Sequence, residues 1–360
     1  MGHVFAEADG SREAAEIRGD SVEDMVTRHG VITPDRLILH NYPISNPTTI
    51  FNPSIIYDPG EELLTIYARI IFGYYMYVSS IVEFNIPLED LSTGAINTHK
   101  YTGSIVVYPS NRYDVWGTED PRVYRFNDAL AMTYVGRTIN YFNPAIRRNR
   151  TIPITAYYDE SLRRWSKRFV FILSDELGGV ISNKDAFMHE SSDGSQYLLH
   201  RPHMSDESYH LLISRLDDKV RVRVGGLEEI ILKDCVEVLK PAKFEGKLGW
   251  SAPLMKRKDR LIVLIHATDR EDITYRVFAA EITIKRDEIA VEAVTPRYIM
   301  EPRTPYEIMG ERPMVVFPCG ATPIRDDLYA VAYGAADNMV GVGTLSLSKL
   351  LSELDKGRIY

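Results

Sequence analysis

The stretch YRFNDALAMTYVGR, residues 124–137, decides the fold: an apolar strand, a tight Asn127-Asp128 turn, and a second apolar strand ending on a charged group. The same pattern recurs as YDPGEELLTIYAR from Tyr57, HESSDGSQYLLHR from His189, MKRKDRLIVLIHAT from Met255 and PIRDDLYAVAYGAAD from Pro323. Aligned on Asp58, Asn127, Asp193, Asp259 and Asp326, the turns stand 69, 66, 66 and 67 residues apart. Runs of Tyr, Val, Ile and Phe between Asp, Asn, Gly and Pro signals read as strands. A fixed period carried through nearly the whole chain after residue 40 is the mark of small sheets repeated around an axis. The expected fold class is all-β, a five-bladed β-propeller over residues 40–348. The period exceeds that of common propeller repeats, so each blade must carry extended loops, and loops are where function concentrates.

Outside the repeat, Ala14, Ala15, Ile17, Val22, Met25 and Val26 fall at roughly helical spacing with charges between them. Residues 1–39 are therefore expected to form a short amphipathic helical arm, interrupted near Gly19, and residues 349–360 a C-terminal tail. The arm and the exposed blade edges favour self-association into a homo-oligomer of undetermined size.

The 360 residues are 45% hydrophobic and 26% charged, which supplies a core and excludes general disorder. A net charge of -8 opposes attraction to nucleic acid or anionic membranes. Only Cys235 and Cys319 are present, too few for a disulfide framework, and no long apolar run follows the start MGHVFAEADGSREAAE. A cytoplasmic protein is expected. His200 and His203 lack a Cys or acidic partner at ligand spacing, so no metal is expected. Neither a P-loop, a dinucleotide-binding glycine pattern nor a Gly-x-Ser-x-Gly elbow is found, and no cofactor is expected.

In a propeller the ends of the innermost strands meet at the axis. Just before the hairpins lie Asn52, Glu119-Asp120, Lys184-Asp185, Trp250-Ser251 and Pro318-Cys319; just after them lie Arg69, Arg137, Arg201, His266 and Asp337. Such a lining suits a polyhydroxylated or phosphorylated small molecule. Within GTEDPR, 117–122, Asp120 reads either as a general acid oriented by Glu119 and Arg122 or as part of a polar turn. Asp337, after the small residues of Tyr333-Gly334-Ala335-Ala336, reads as a ligand for sugar hydroxyls or as a turn cap. Arg201, Lys247, His266 and Tyr275 could jointly bind phosphate or could each be solvated. Arg147, Arg148 and Arg150 read as an exposed loop or a phosphate or acceptor contact.

Several ordered motifs together resemble glycoside hydrolase family 130, the β-mannoside phosphorylases and related inverting mannosidases: GTEDPR at 117–122, LLHRP at 198–202, GKLGWSAP at 246–253, the stretch from His266 to Tyr275, YEIMGERPMVVFPCG at 306–320 and YGAAD at 333–337. The resemblance implies a five-bladed propeller with Asp120 as proton donor, acting through the 3-hydroxyl of the mannosyl unit. It implies that Asn52, Arg69 and Asp337 hold that unit, with Glu119 and Tyr333 assigned to the same substrate set. Arg201, Lys247, His266 and Tyr275 match the phosphate-binding set. The implied reaction is reversible, inverting phosphorolysis of β-linked, expectedly β-1,2, manno-oligosaccharides, with inorganic phosphate as co-substrate and α-mannose 1-phosphate as product. Phosphate is already a nucleophile, whereas an inverting hydrolase needs a second carboxylate to activate water. Two other readings stay open: a mannosyltransferase that builds β-1,2-mannan from GDP-mannose, and a non-catalytic carbohydrate-binding propeller. Where the family usually reads Pro-Asn-Val-Val-Phe, this chain has Met314 in place of the Asn, which leaves subsite specificity open.

Overall fold

The computed structural model describes residues 5–74, 76–216, 220 and 225–359. Five sheets, each with an antiparallel four-stranded core, follow one another along the chain, and each of the five expected hairpins forms. Blade one is built from Thr49–Asp58, Leu63–Ile71, Ser79–Pro87 and Tyr101–Val107. Blade two contains Thr118–Phe126, Ala129–Arg137, Thr151–Asp159 and Arg164–Leu173. Blade three contains Val180–Glu190, Gln196–Met204, Leu211–Leu216 and Cys235–Leu239. Blade four contains Glu245–Arg257, Arg260–Asp269, Tyr275–Lys285 and Glu288–Val294. Blade five takes Val316–Arg325, Leu328–Ala335 and Met339–Ser346 from the end of the chain and its outermost strand, Val26–Ile32, from the beginning. The molecule is a five-bladed β-propeller. Among the described residues no helix is long and apolar enough to cross a membrane.

The helical reading of residues 11–29 is corrected beyond residue 17. A helix spans Ser11–Ile17, but Val26–Ile32 is a strand paired antiparallel with Met339–Ser346. Ala6–Glu7 and Leu37–Leu39 add parallel edge strands to blades three and one. Segments of the expected arm thus belong to the sheets. The β-branched Val26, Thr27, Val31 and Ile32 suit a strand, and the partner that fixes them lies about three hundred residues away, beyond any local periodicity. Residues 1–4 of the expected arm and 360 of the expected tail lie outside the described residues. Residues 349–356 of the tail belong to a helix, Leu347–Lys356, capped by Ser346 and seated through buried Leu350 and Leu354, and Arg358 beyond it bridges to Ala293.

Each innermost strand slips register at the same relative place: between Phe51 and Ser54, Glu119 and Arg122, Lys184 and Phe187, Trp250 and Pro253, and Pro318 and Gly320. A β-bulge leaves a residue unpaired and re-aims its side chain. In the first three blades that residue is Asn52, Asp120 or Asp185, with φ of 49°, 50° and 52°. Asn and Asp tolerate this left-handed region better than other side chains. The blades pack through buried apolar faces; Trp250 is fully buried in blade four, and its indole N–H donates to the His200 and Leu212 carbonyls of blade three.

Candidate active site

The bulge residues of blades one to three, with the ends of the second strands of blades one, two, three and five, line a cavity of about 240 Å³; the bulge positions of blades four and five, Ser251 and Cys319, do not. Its first half is an acid corner from blades one, two and five. Asp120 lines the cavity, and its Oδ1 accepts from Asn52 Nδ2 at 2.8 Å and Arg69 Nη1 at 3.2 Å. Its Oδ2 takes no hydrogen bond from any described residue. Asn52 is held close by Gly334: a Cβ on that glycine would stand 2.0 Å from the Asn52 Oδ1. Asp337, at φ 52°, lines the same corner. Its burial, with Asp120 nearby, pushes its carboxyl up to about 6 against the pull of Arg312 and Arg69.

Glu119 lies behind this corner, fully buried. It accepts from Arg137 Nε at 2.6 Å, Arg69 Nη2 at 3.1 Å and Lys184 Nζ at 3.1 Å. Burial alone would raise its pKa, but Arg137, Arg69 and Lys184 hold it well below the ordinary carboxylate range. Glu119 therefore anchors three cations that themselves line the cavity.

The other half is a basic corner from blades three and four. Arg201 donates to Asp185 Oδ2 through Nε at 2.9 Å and Nη2 at 2.7 Å, while Arg122 reaches Asp185 Oδ1 at 3.4 Å. Against its burial, the Arg201 and Arg122 guanidiniums keep Asp185 ionised, well below the usual carboxylate range. His266 Nδ1 lies 3.0 Å from Ser251 Oγ, and its Nε2 lies 3.6 Å from Asp185. Burial pushes His266 down to about 3, so at neutral pH it is a hydrogen-bonding group and not a cation. Gly249 makes room for it, since a Cβ there would come within 2.3 Å of the imidazole. Lys247 has its ammonium 5.5 Å from the ring centroids of Tyr209 and Tyr275, and no described carboxylate pairs with it. Burial, then Arg201 and Arg312, push it down to about 7. Arg312 lies over the Tyr275 ring at 4.7 Å.

The structure brings together Asn52, Arg69, Asp120, Asp337, Arg201, Lys247 and Tyr275 around one cavity. His266 stands directly behind it, stacked on Tyr275 with centroids 5.6 Å apart. Two expectations of direct substrate contact are corrected. Glu119 is screened by its three cations, and Tyr333 is fully buried with its hydroxyl donating to Glu307 Oε1 at 2.7 Å. Tyr333 lies in the middle of blade five, so its ring packs against Gly341 and not into the cavity. Met314 is not on the cavity wall either; its carbonyl accepts the Tyr275 N–H at 3.0 Å. The basic run is spent on the protein: Arg147 pairs with Glu207, Arg148 with Asp175, and Arg150 with backbone carbonyls of its own loop.

Lys184, Asp185 and Arg137 were visible only as strand-end positions in the repeat. Tyr77, Tyr141 and Tyr209 line the cavity from loops that share no repeat and no quoted motif, so nothing in the sequence singled them out; Arg312 lies within the 306–320 motif, which gave it no role of its own.

This cavity can hold a small polyol beside a carboxyl group and an anion beside the cations, and comparison with known proteins agrees in kind. A family model described as beta-1,4-mannooligosaccharide phosphorylase matches residues 16–356. A beta-1,2-mannobiose phosphorylase of Thermoanaerobacter sp. strain X514 is 28% identical over 87% of this chain and 97% of its own. A 1,2-beta-oligomannan phosphorylase of the same organism is 26% identical over 84% and 91%. Among solved structures, a Listeria innocua beta-1,2-mannobiose phosphorylase in complex with beta-1,2-mannobiose superposes with a TM-score of 0.67 at 18% identity, covering 92% of this chain and 99% of its own. A Leishmania mexicana mannose phosphorylase in complex with phosphate gives 0.54 at 12% identity, covering 93% and 92%. With the family model spanning nearly the entire propeller, the chain belongs to glycoside hydrolase family 130, a family of β-mannoside phosphorylases.

Proposed function

We propose that the protein is an inverting β-mannoside phosphorylase acting on short β-1,2-linked manno-oligosaccharides, reversibly. The carrying observation is the division of one cavity between a carboxyl group anchored by Asn52 and Arg69 and a cationic corner whose one carboxylate is locked by two guanidiniums. Asp185 is therefore poorly suited to activate water, because a general base works best with a pKa near the working pH. A phosphate anion needs no such base and finds Arg201, Lys247 and Tyr275 along that wall. Asn52, Arg69 and Asp337 hold the terminal mannosyl unit. A phosphate oxygen forms the new bond to the anomeric carbon as the glycosidic bond breaks on the opposite face. The departing oxygen receives its proton from Asp120, relayed through the sugar's 3-hydroxyl, and the products are α-mannose 1-phosphate and a chain one sugar shorter.

The test incubates the protein with inorganic phosphate and β-linked manno-oligosaccharides of defined linkage. Mannose 1-phosphate that requires phosphate and appears fastest from the β-1,2 series is the expected result. Free mannose formed without phosphate would replace the reading with hydrolysis. Chain extension from GDP-mannose in phosphate-free buffer would replace it with transfer, and sugar binding with no product would leave a binding protein.

A further inference from the structure

A band of aromatic rings runs out of the cavity along the blade one and blade two side of its mouth. Tyr77, from the 72–78 connection, and Tyr141, from the 138–150 connection, both line the cavity, with ring centroids 5.0 Å apart. Tyr74 continues from Tyr77 at 6.5 Å and Phe142 from Tyr141 at 5.2 Å. Tyr74, Tyr141 and Phe142 are 43%, 46% and 60% exposed. Four neighbouring rings, three of them left to solvent at a cavity mouth, form the kind of contiguous apolar surface that marks a binding site.

The ridge is built, not loose. Arg69 lies under the Tyr77 ring at 5.5 Å and Arg137 under Tyr141 at 4.7 Å, and both guanidiniums are fixed by Glu119. Arg150 ties the 138–150 loop from within, donating to the carbonyls of Tyr141 at 3.0 Å and Ile146 at 2.7 Å. Asn140 Nδ2 reaches Met76 Sδ at 3.8 Å, joining the two loops.

Position selects the ligand. Attack with inversion requires the nucleophile and the departing chain on opposite faces of the sugar. The cationic corner belongs to blades three and four, whereas the ridge belongs to the blades that carry Arg69 and Asp120. Aromatic faces match the C–H faces of pyranose rings, and phenol hydroxyls can meet their hydroxyls. Resting on the phosphorylase reading, we infer that the ridge of Tyr74, Tyr77, Tyr141 and Phe142 binds the part of a β-mannan chain beyond the sugar released, and so selects longer oligosaccharides over the disaccharide.

The experiment compares the wild-type protein with the double variant Tyr74→Ala/Phe142→Ala. The ratio of kcat/KM for a β-linked mannotetraose to that for the disaccharide should fall about fivefold, in line with the worth of aromatic stacking. Tyr74→Phe/Phe142→Tyr, which keeps both rings, should retain the wild-type ratio. An unchanged ratio in the alanine variant overturns the inference. Calorimetric titration of mannotetraose in phosphate-free buffer supplies an arm that does not depend on turnover. If the wild type makes no sugar phosphate, the reaction reading fails, yet weaker tetraose binding by the alanine variant still supports the ridge, and equal binding rejects it. A change of mass in light scattering with no change in chain-length preference would put a second copy of the chain on the ridge and likewise reject the inference.

Discussion

Lys247 is the residue whose charge its surroundings contest. Burial, then Arg201 and Arg312, bring its pKa down to about 7, and no carboxylate among the described residues pairs with it. An incoming phosphate supplies the missing counter-charge, so the protonated lysine binds it more tightly. That contribution is present below about pH 7 and lost as pH rises through it. The KM for phosphate should therefore climb above neutrality. In Lys247→Arg the guanidinium stays charged, and only the second ionisation of phosphate itself should shape the profile. Parallel profiles for the two proteins would remove Lys247 as the titrating group. Asp120 permits a second test at this scale. Asp120→Asn keeps the partners of Oδ1 within reach but removes the proton, so kcat should fall at least about a hundredfold while calorimetry still detects oligomannoside binding. Turnover near the wild-type level would exclude Asp120 as the acid.

At the scale of the element, the bulge in each inner strand does for the site what the hairpin turn does for the blade. The hairpins were legible because Asp and Asn mark their turns at a near-constant period. The bulges were half legible: the same period puts Asn52, Asp120 and Asp185 in equivalent places, and all three adopt left-handed φ. The rest of the site was hidden because Tyr77, Tyr141 and Tyr209 reach the cavity from loops of unrelated length, where no periodic signal exists, and Arg312 sat in a quoted motif that carried no sign of its position. Met314 carries a related lesson. The expectation attached to it concerned sugar contact, yet it sits off the cavity wall at φ 59°. A left-handed backbone costs an ordinary side chain about 1 kcal/mol, and Asn tolerates it better. The Asn that the family resemblance places here is thus explained by the backbone. Met314→Asn should raise stability by about 1 kcal/mol, read as a higher denaturant midpoint at unchanged slope. A lower midpoint would show that the Met314 side chain contributes packing that outweighs the backbone strain.

For the whole molecule, a ring of blades is only as stable as its closure, and the first forty residues provide it. Val26–Ile32 completes the sheet whose other three strands end the chain, so the two ends of the sequence close one blade. This was illegible because an edge strand takes its register from a remote partner, and residues 18–29 carry a spacing that a helix would also satisfy. Ahead of that strand, Arg18 fastens the segment to blade four. Its Nη2 donates to Glu245 Oε2 at 2.7 Å and its Nε to Oε1 at 3.2 Å, with side chains 2% and 0% exposed. Tyr298 and the Ala242 N–H also donate to Glu245, so the carboxylate is fully committed to this joint. Removing one partner of a buried pair strands the other's charge, at a cost of about 3–5 kcal/mol. Arg18→Met should therefore lower unfolding stability by about that amount, whereas Arg18→Met/Glu245→Gln should recover most of the loss, because no net charge is then left buried. Denaturation monitored by tryptophan fluorescence reads both, since Trp250 is packed in the adjoining core between blades three and four. If the double variant is no more stable than Arg18→Met, the joint acts through packing of the arginine stem against Phe278, over which its guanidinium lies at 4.7 Å, and not through the charge pair.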